Sequence, residues 1–159
     1  FVRELDHGRY LLRIAQHLGI RAEFVNGEMD AGPIDKAITR FERGEIDVLI
    51  ASDVLKQGAD TIHVYSGINA AGRKSVIETI QRRGRAGRIC REANCARCAV
   101  MGKKTTATWY DLYDTDSLAE KLWSERRRRL PGLWLGRHSR ERLAAYKAKG
   151  ILVDVVADL

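Results

Sequence analysis

The stretch Gln81-Arg82-Arg83-Gly84-Arg85-Ala86-Gly87-Arg88 packs four guanidinium groups and two glycines into one short run. Arginine binds phosphate as a planar fork of fixed charge. Glycine lets the backbone turn closely and leaves the arginine heads free. Taken alone, the run is either a phosphate-binding surface or the solvated basic end of a helix. A second run, Ser52-Asp53-Val54-Leu55-Lys56-Gln57-Gly58-Ala59-Asp60, follows the apolar residues 46–51. In an open parallel sheet, ligands bind beyond the carboxyl ends of the strands. A Ser, an Asp and a Gly-x-Asp placed there can meet a phosphate, a cation or a ribose. An ordinary capped loop between strand and helix would read the same way.

Cys90, Cys95 and Cys98 follow at once, spaced C-x₄-C-x₂-C. They could supply three zinc (Zn²⁺) ligands or be free thiols in a surface loop. No fourth ligand is evident; His138 is a remote candidate. His7, His17 and His63 are isolated in the sequence and read as structural.

The net charge of +7 is unevenly spread, −3 over residues 1–72 and +12 over 73–149. That asymmetry suggests a polyanionic partner. Arg126, Arg127, Arg128 and Arg129, with Arg137, His138, Arg140 and Arg142, form a second basic cluster. It is either a solvated helix face or a set of phosphate contacts whose binding would be strongly salt-dependent. Trp109, Trp123 and Trp134 could stack on bases; Trp109 and Trp123 read better as core. No apolar run reaches the roughly 20 residues that a membrane span needs. No signal peptide is evident, and three cysteines fit a reducing compartment, so an intracellular, cytoplasmic setting with no membrane partner is expected.

The elements that would position these residues alternate between short apolar runs and helical periods. Phe1-Val2 looks like a strand stub. Leu11, Ile14, Ala15 and Leu18 share one helix face, stopped by Gly19. Residues 22–25 read as a strand ending at the turn pair Asn26-Gly27. Ile34, Ala37, Ile38 and Phe41 repeat the helical spacing after Pro33, and Gly44 closes the helix. Residues 46–51 read as a strand buried on both faces, and 62–65 and 105–112 as further strands. Ser75 and Glu78 form a capping box opening the helix that leads into Gln81. Beyond residue 114 a helix over 116–129, a break at Pro131-Gly132, a helix capped by Ser139 and ending at Gly150, and a last strand over 151–156 are expected. The fold class is α/β, a parallel sheet sandwiched by helices, with residues 1–115 as the main domain and 116–159 as a short helical extension packed on it.

Residues 81–88 resemble motif VI of superfamily 2 helicases, and residues 52–60 resemble motif V. Phe1-Val2 with its amphipathic helix resembles the end of motif IV. Asn26 departs from the His-Gly that many members carry before the next helix. Residues 105–129 resemble the segment after motif VI in DNA-repair and phage-type members. The resemblance covers about residues 1–130 and implies the C-terminal RecA-like lobe of an ATP-dependent helicase or translocase. It implies Arg85 and Arg88 as arginine fingers offsetting charge on the γ-phosphate, and Gln81 beside that phosphate or the attacking water. Arg82 would brace the motif. Asp60 would meet the ribose or couple nucleotide to track, Gly58 would allow close backbone approach, and Ser52 would bond a nucleic-acid phosphate. Arg126, Arg127 and Arg128 would extend that track.

The chain has no Gly-x-x-x-x-Gly-Lys-Ser/Thr loop and no acidic Walker B strand. The ATP cradle and the Mg²⁺ ligands are therefore expected on an N-terminal RecA-like lobe of the same protein, and this chain alone is expected to be inactive. Analogy leans toward DNA over RNA. Two other readings remain at this point: a non-catalytic nucleic-acid-binding module of the same fold, and a domain binding small nucleotides alone.

Overall fold

The computed structural model describes residues 1–52, 61–71, 81, 83–84, 87–92, 94–112 and 132–151. They fall into two compact units. One comprises Phe1–Ala71 with Gln81–Asp111, and residues 112 and 132–151 belong to the other.

In the first unit, α1 (Leu5–His17) leads to β1 (Ala22–Val25), then α2 (Ala31–Arg43) and β2 (Val48–Ala51). Strands β1 and β2 pair in parallel, Ala22 opposite Val48 and Val25 opposite Ala51. Strand β3 (Ser66–Asn69) pairs in parallel with β4 (Thr108–Asp111), Ser66 opposite Thr108. Between the two pairs runs Phe1-Val2. The Val2 N–H donates to Ala51 O (2.9 Å), the Phe1 amino group to Ile68 O (2.6 Å), and the Ala70 N–H to Phe1 O (2.9 Å). The last two bonds flank Asn69 in the manner of a parallel bridge. The strand stub expected from sequence is thus the middle strand, and the spatial order is β1, β2, Phe1-Val2, β3, β4.

The chain leaves the centre for β1, returns through β2, and later crosses to the other side. Right-handed crossovers then put α1 and α2 on opposite faces. Side chains agree. Val25 and Ala51 are 1% exposed and cluster with Ala37, Ile34 and Ile38 of α2. Phe24, whose side chain points the other way, lies against Gly8 of α1, so close that a Cβ there would stand 2.4 Å from its ring. The buried side of α1 is therefore Gly8 and Ala15, whereas Ile14 and Leu18 of the expected apolar face are exposed. Both helices end as the glycines foretell. Gly19 (φ 71°) and Gly44 (φ 77°) take the left-handed conformation, and the next N–H groups bond back to Ala15 O and Arg40 O.

The strand expected over 62–65 begins instead at Ser66. At the start of that stretch, backbone groups meet side chains: Ile62 O accepts from Lys104 Nζ (3.1 Å), and the His63 N–H faces the Glu42 carboxylate (3.3 Å), whereas Tyr65 O already accepts from the Thr108 N–H (3.0 Å). The groups at Ile62 and His63 thus need no neighbouring strand. Residues 105–112 shorten to β4. A short helix, α3 (Ala96–Met101), precedes it.

In the second unit, α4 (Gly132–Ala148) starts at the break and ends before Gly150 (φ 66°). Ser139 is not its cap. It sits inside the helix, 1% exposed, and its hydroxyl takes Arg142 Nη2 at 3.2 Å. The same guanidinium donates to Leu112 O at 2.9 Å. The helix expected over 116–129 and the strand expected over 151–156 lie outside the described residues, Ile151 excepted.

Gly67 gives Trp109 its seat, for a Cβ there would lie 2.4 Å from the indole ring. Gly67→Ala should destabilise the protein by about 1–3 kcal/mol through overpacking. Urea unfolding followed by circular dichroism will measure it.

Candidate nucleotide and nucleic-acid site

In an open parallel sheet, a crevice forms where the chain's direction of travel across the sheet reverses. Here the reversal is at Phe1-Val2, with β2 on one side and β3 on the other. The residues at the carboxyl ends of these strands are polar yet buried: Asn26 after β1 (8% exposed), Ser52 after β2 (6%) and Asn69 at the end of β3 (1%). Each is held by a defined contact. Asn26 Oδ1 accepts the Glu28 N–H at 2.8 Å, closing the turn before α2. The Ser52 N–H extends the sheet by donating to Val25 O at 3.1 Å. Asn69 Nδ2 donates to Asp111 Oδ1 at 3.0 Å, tying the ends of β3 and β4 together. Ser52 is therefore on the expected edge, with its backbone committed to the sheet.

Of the arginine-rich run, Gln81, Arg83 and Gly84 are helical and Gln81 is exposed. The Gly87 N–H donates to Arg83 O at 3.1 Å, so the helix ends in a turn there. A Cβ on Gly87 would stand 3.5 Å from Gly84 O, so the two glycines lie against one another. Arg88 follows on exposed chain. Gly58, Asp60, Arg82, Arg85, Arg126, Arg127 and Arg128 lie outside the described residues. Of the second basic cluster, Arg140 is exposed but Arg142 is buried, 2% exposed, and serves the interior of its unit.

The structure brings one set of residues together that sequence left apart. Cys90, Cys95 and Cys98 meet His63, and their four ligand atoms all lie within 4.8 Å of one another. His63 was read as isolated because its partners follow 27 to 35 residues later. His138, the remote candidate, belongs to α4, and the cluster closes without it. The thiols are not loop-exposed either: Cys90 is 2% exposed and Cys95 9%. The backbone N–H of Cys98, directed at the Cys95 sulfur, draws that thiol down to about 7. Burial pushes Cys98 up to about 11. Crowded sulfurs cannot all ionise unless a cation joins them.

The comparisons decide the kinship. The model of the helicase conserved C-terminal domain matches residues 1–90, more than half of the chain. The chain belongs to that family. DEAD-box ATP-dependent RNA helicase 10 of Arabidopsis thaliana is 33% identical over 91 residues, 55% of this chain and 20% of its own length. The ATP-dependent RNA helicase SrmB of Escherichia coli is 32% identical over 91 residues, with the same coverage. The chain thus spans about a fifth of the curated relatives it matches. Among solved structures, SrmB superposes with a TM-score of 0.55 at 25% identity, over 74% of this chain and 62% of that one. The C-terminal domain of the DEAD-box protein Dbp5 superposes with a TM-score of 0.60 at 20% identity, over 94% and 68%.

The fold is the RecA-like α/β lobe expected from the motifs. The expected lean toward DNA is corrected. The matching relatives are DEAD-box RNA helicases, not members singled out by DNA repair or phage origin. The error came from analogy, over the Gln-led run 81–88 and residues 105–129, and the second of these lies wholly beyond the family match. No described helix is long and apolar enough to cross a membrane.

Asn69 is the polar bond at the crevice with the deepest burial. Asn69→Ala should lower stability by about 1–3 kcal/mol, the scale of a buried hydrogen bond left half-made. Denaturant titration will read the loss.

Proposed function

We propose that this chain is the second motor lobe of an ATP-dependent RNA helicase, closing over a nucleotide held by another lobe of the same protein. The observation that carries this reading is the family match over residues 1–90, which contains both the run 52–60 and the run 81–88. The relatives' names supply the substrate class, RNA and ATP. ATP with Mg²⁺ would sit on the partner lobe, because this chain has no phosphate loop of its own.

The proposed division of labour follows the charges. Arg85 and Arg88 reach the γ-phosphate from the end of the helix through Gln81, Arg83 and Gly84. Their fixed charge offsets the negative charge that builds as the phosphoryl group leaves. Gln81 orients the attacking water or the phosphate. Asp60 and Gly58 meet the nucleotide side of the crevice. Ser52, at the end of β2, donates to an RNA phosphate, with Arg126, Arg127 and Arg128 continuing that track. Nucleotide binding draws the lobes together and hydrolysis lets them part, so grip on the strand alternates. Residues 1–115 serve as the lobe and 116–159 as its extension.

Full-length protein should hydrolyse ATP faster in the presence of RNA. Arg88→Ala should lower the RNA-stimulated kcat by about 10³-fold or more, with RNA affinity kept within a few fold. Ser52→Ala should do the reverse, weakening RNA binding several-fold with little change in the basal rate. An Arg88→Ala protein with undiminished turnover would remove the finger role. Stimulation by DNA but not RNA would remove the substrate assignment.

A further inference from the structure

We propose that His63, Cys90, Cys95 and Cys98 bind one structural zinc ion, which fixes the chain on both sides of the arginine-rich run. The family match ends at residue 90, so Cys95 and Cys98 lie beyond it. The proposal does not depend on the motor reading.

The ligand set selects the metal. Three thiolates and one imidazole form a soft S₃N set that suits zinc and not Mg²⁺ or Ca²⁺. Tetrahedral zinc, with bonds of roughly 2.0–2.3 Å, needs ligand atoms roughly 3.5–3.8 Å apart. The four atoms here lie within 4.8 Å of each other, and Cys95 Sγ is 3.1 Å from His63 Nε2. Small side-chain movements close the shell. Four protein ligands leave no open position, which marks a structural and not a catalytic site. On binding, each thiol gives its proton to solvent, and the sulfurs and Nε2 donate electron pairs to Zn²⁺.

A second observation comes from outside the four ligands. The Glu42 carboxylate is 2.5 Å from His63 Nδ1 and also faces the His63 N–H. With the carboxylate at Nδ1, Nε2 is the ring nitrogen left to face the sulfurs. A carboxylate on the far nitrogen is the common outer partner of a zinc-bound histidine. The remaining charge also has neighbours. Lys104 is 3% exposed and bonds Ile62 O, one residue from His63. Arg97, between Cys95 and Cys98, lies over the Phe41 ring of α2 at 6.0 Å. Its Nη1 occupies the space where a Cβ on Gly44 would stand. The Cys-x₂-Cys segment is thus already docked on α2. An open pocket lined by Glu42, Arg43, His63, Glu92 and Cys95 gives a metal its way in.

A rival reading takes Cys95, His63 and Glu42 as a nucleophile, base and orienting acid. Two more sulfurs pressed against the same histidine crowd out a substrate, and Cys95 is buried. A metal accounts for all four residues; the rival leaves Cys90 and Cys98 without a role.

What the ion would do follows from position. His63 and Cys98 bracket residues 81–88, and Cys90 is two residues past Arg88. A clip across that loop removes its closure entropy from the unfolded chain and fixes the exit from the arginine run.

The test uses full-length protein expressed with zinc and purified under reducing conditions. Elemental analysis should find one zinc per chain. Replacement by Co²⁺ should give intense visible bands of tetrahedral cobalt with sulfur-to-metal charge transfer in the near ultraviolet. A strong chelator should lower the thermal midpoint, and zinc should restore it. Cys98→Ser should remove the charge-transfer intensity of one sulfur. Should that variant not fold, Glu42→Gln keeps all four ligands, and chelator competition should show about 10–100-fold weaker zinc binding. Folded, zinc-free protein whose three thiols alkylate readily and whose midpoint ignores zinc would overturn the site. So would a cobalt spectrum without thiolate bands.

Discussion

Three backbone hydrogen bonds at the first two residues hold the sheet together. Without Phe1-Val2, β1–β2 and β3–β4 are two isolated ribbons, each with an unpaired edge in an apolar setting. Buried backbone groups left unpaired are costly, and a two-stranded pair is marginal in water. One dipeptide satisfies Ala51 O on one side and Ile68 O and Ala70 N–H on the other. The same dipeptide marks where the chain's travel across the sheet reverses. A crevice at the carboxyl ends is expected there because the connections on either side of this central strand lead to opposite halves of the sheet. Ser52 and Asn69 stand beside it because they follow or end the strands on either side.

Much of this was legible in the residues. Gly19 and Gly44 end their helices for the reason glycine usually does, and the apolar run into Ala51 is a strand, although only its second half, Ile50 and Ala51, is buried. The motif pair was specific enough to give the family. What escaped the reading shares one cause: local pattern carries no information about distant partners. Residues 62–65 are β-branched and aromatic enough for a strand, yet Glu42 and Lys104 meet the backbone of His63 and Ile62 from far away in sequence. Ser139 has the composition of a cap but sits inside a helix that begins seven residues earlier. Gly8 interrupts the apolar face of α1, and only the Phe24 ring explains why the helix packs there. His63 had no ligand-like neighbours until the fold supplied three sulfurs. The choice of DNA over RNA had no physical warrant, because motifs that hold phosphate and ribose do not read a base edge.

The polar residues at the crevice divide into two kinds. Asn26 and Asn69 spend their side chains on the protein itself, closing a turn and joining two strand ends. Ser52 commits its backbone to the sheet. Groups tied to the protein in this way hold the carboxyl edge of the sheet in place. The arginine run is arranged differently. It ends a helix at a glycine turn and presents Gln81 and Arg88 to solvent.

Arg142 alters how the basic half of the chain should be counted. Its guanidinium is sealed inside the second unit, engaged by Ser139 and by the carbonyl of Leu112. A buried cation held in this way exchanges no ion atmosphere with solvent. Of the charges counted in the basic half of the chain, Arg142 is therefore not one that solvent meets, and it acts as a strut within its unit.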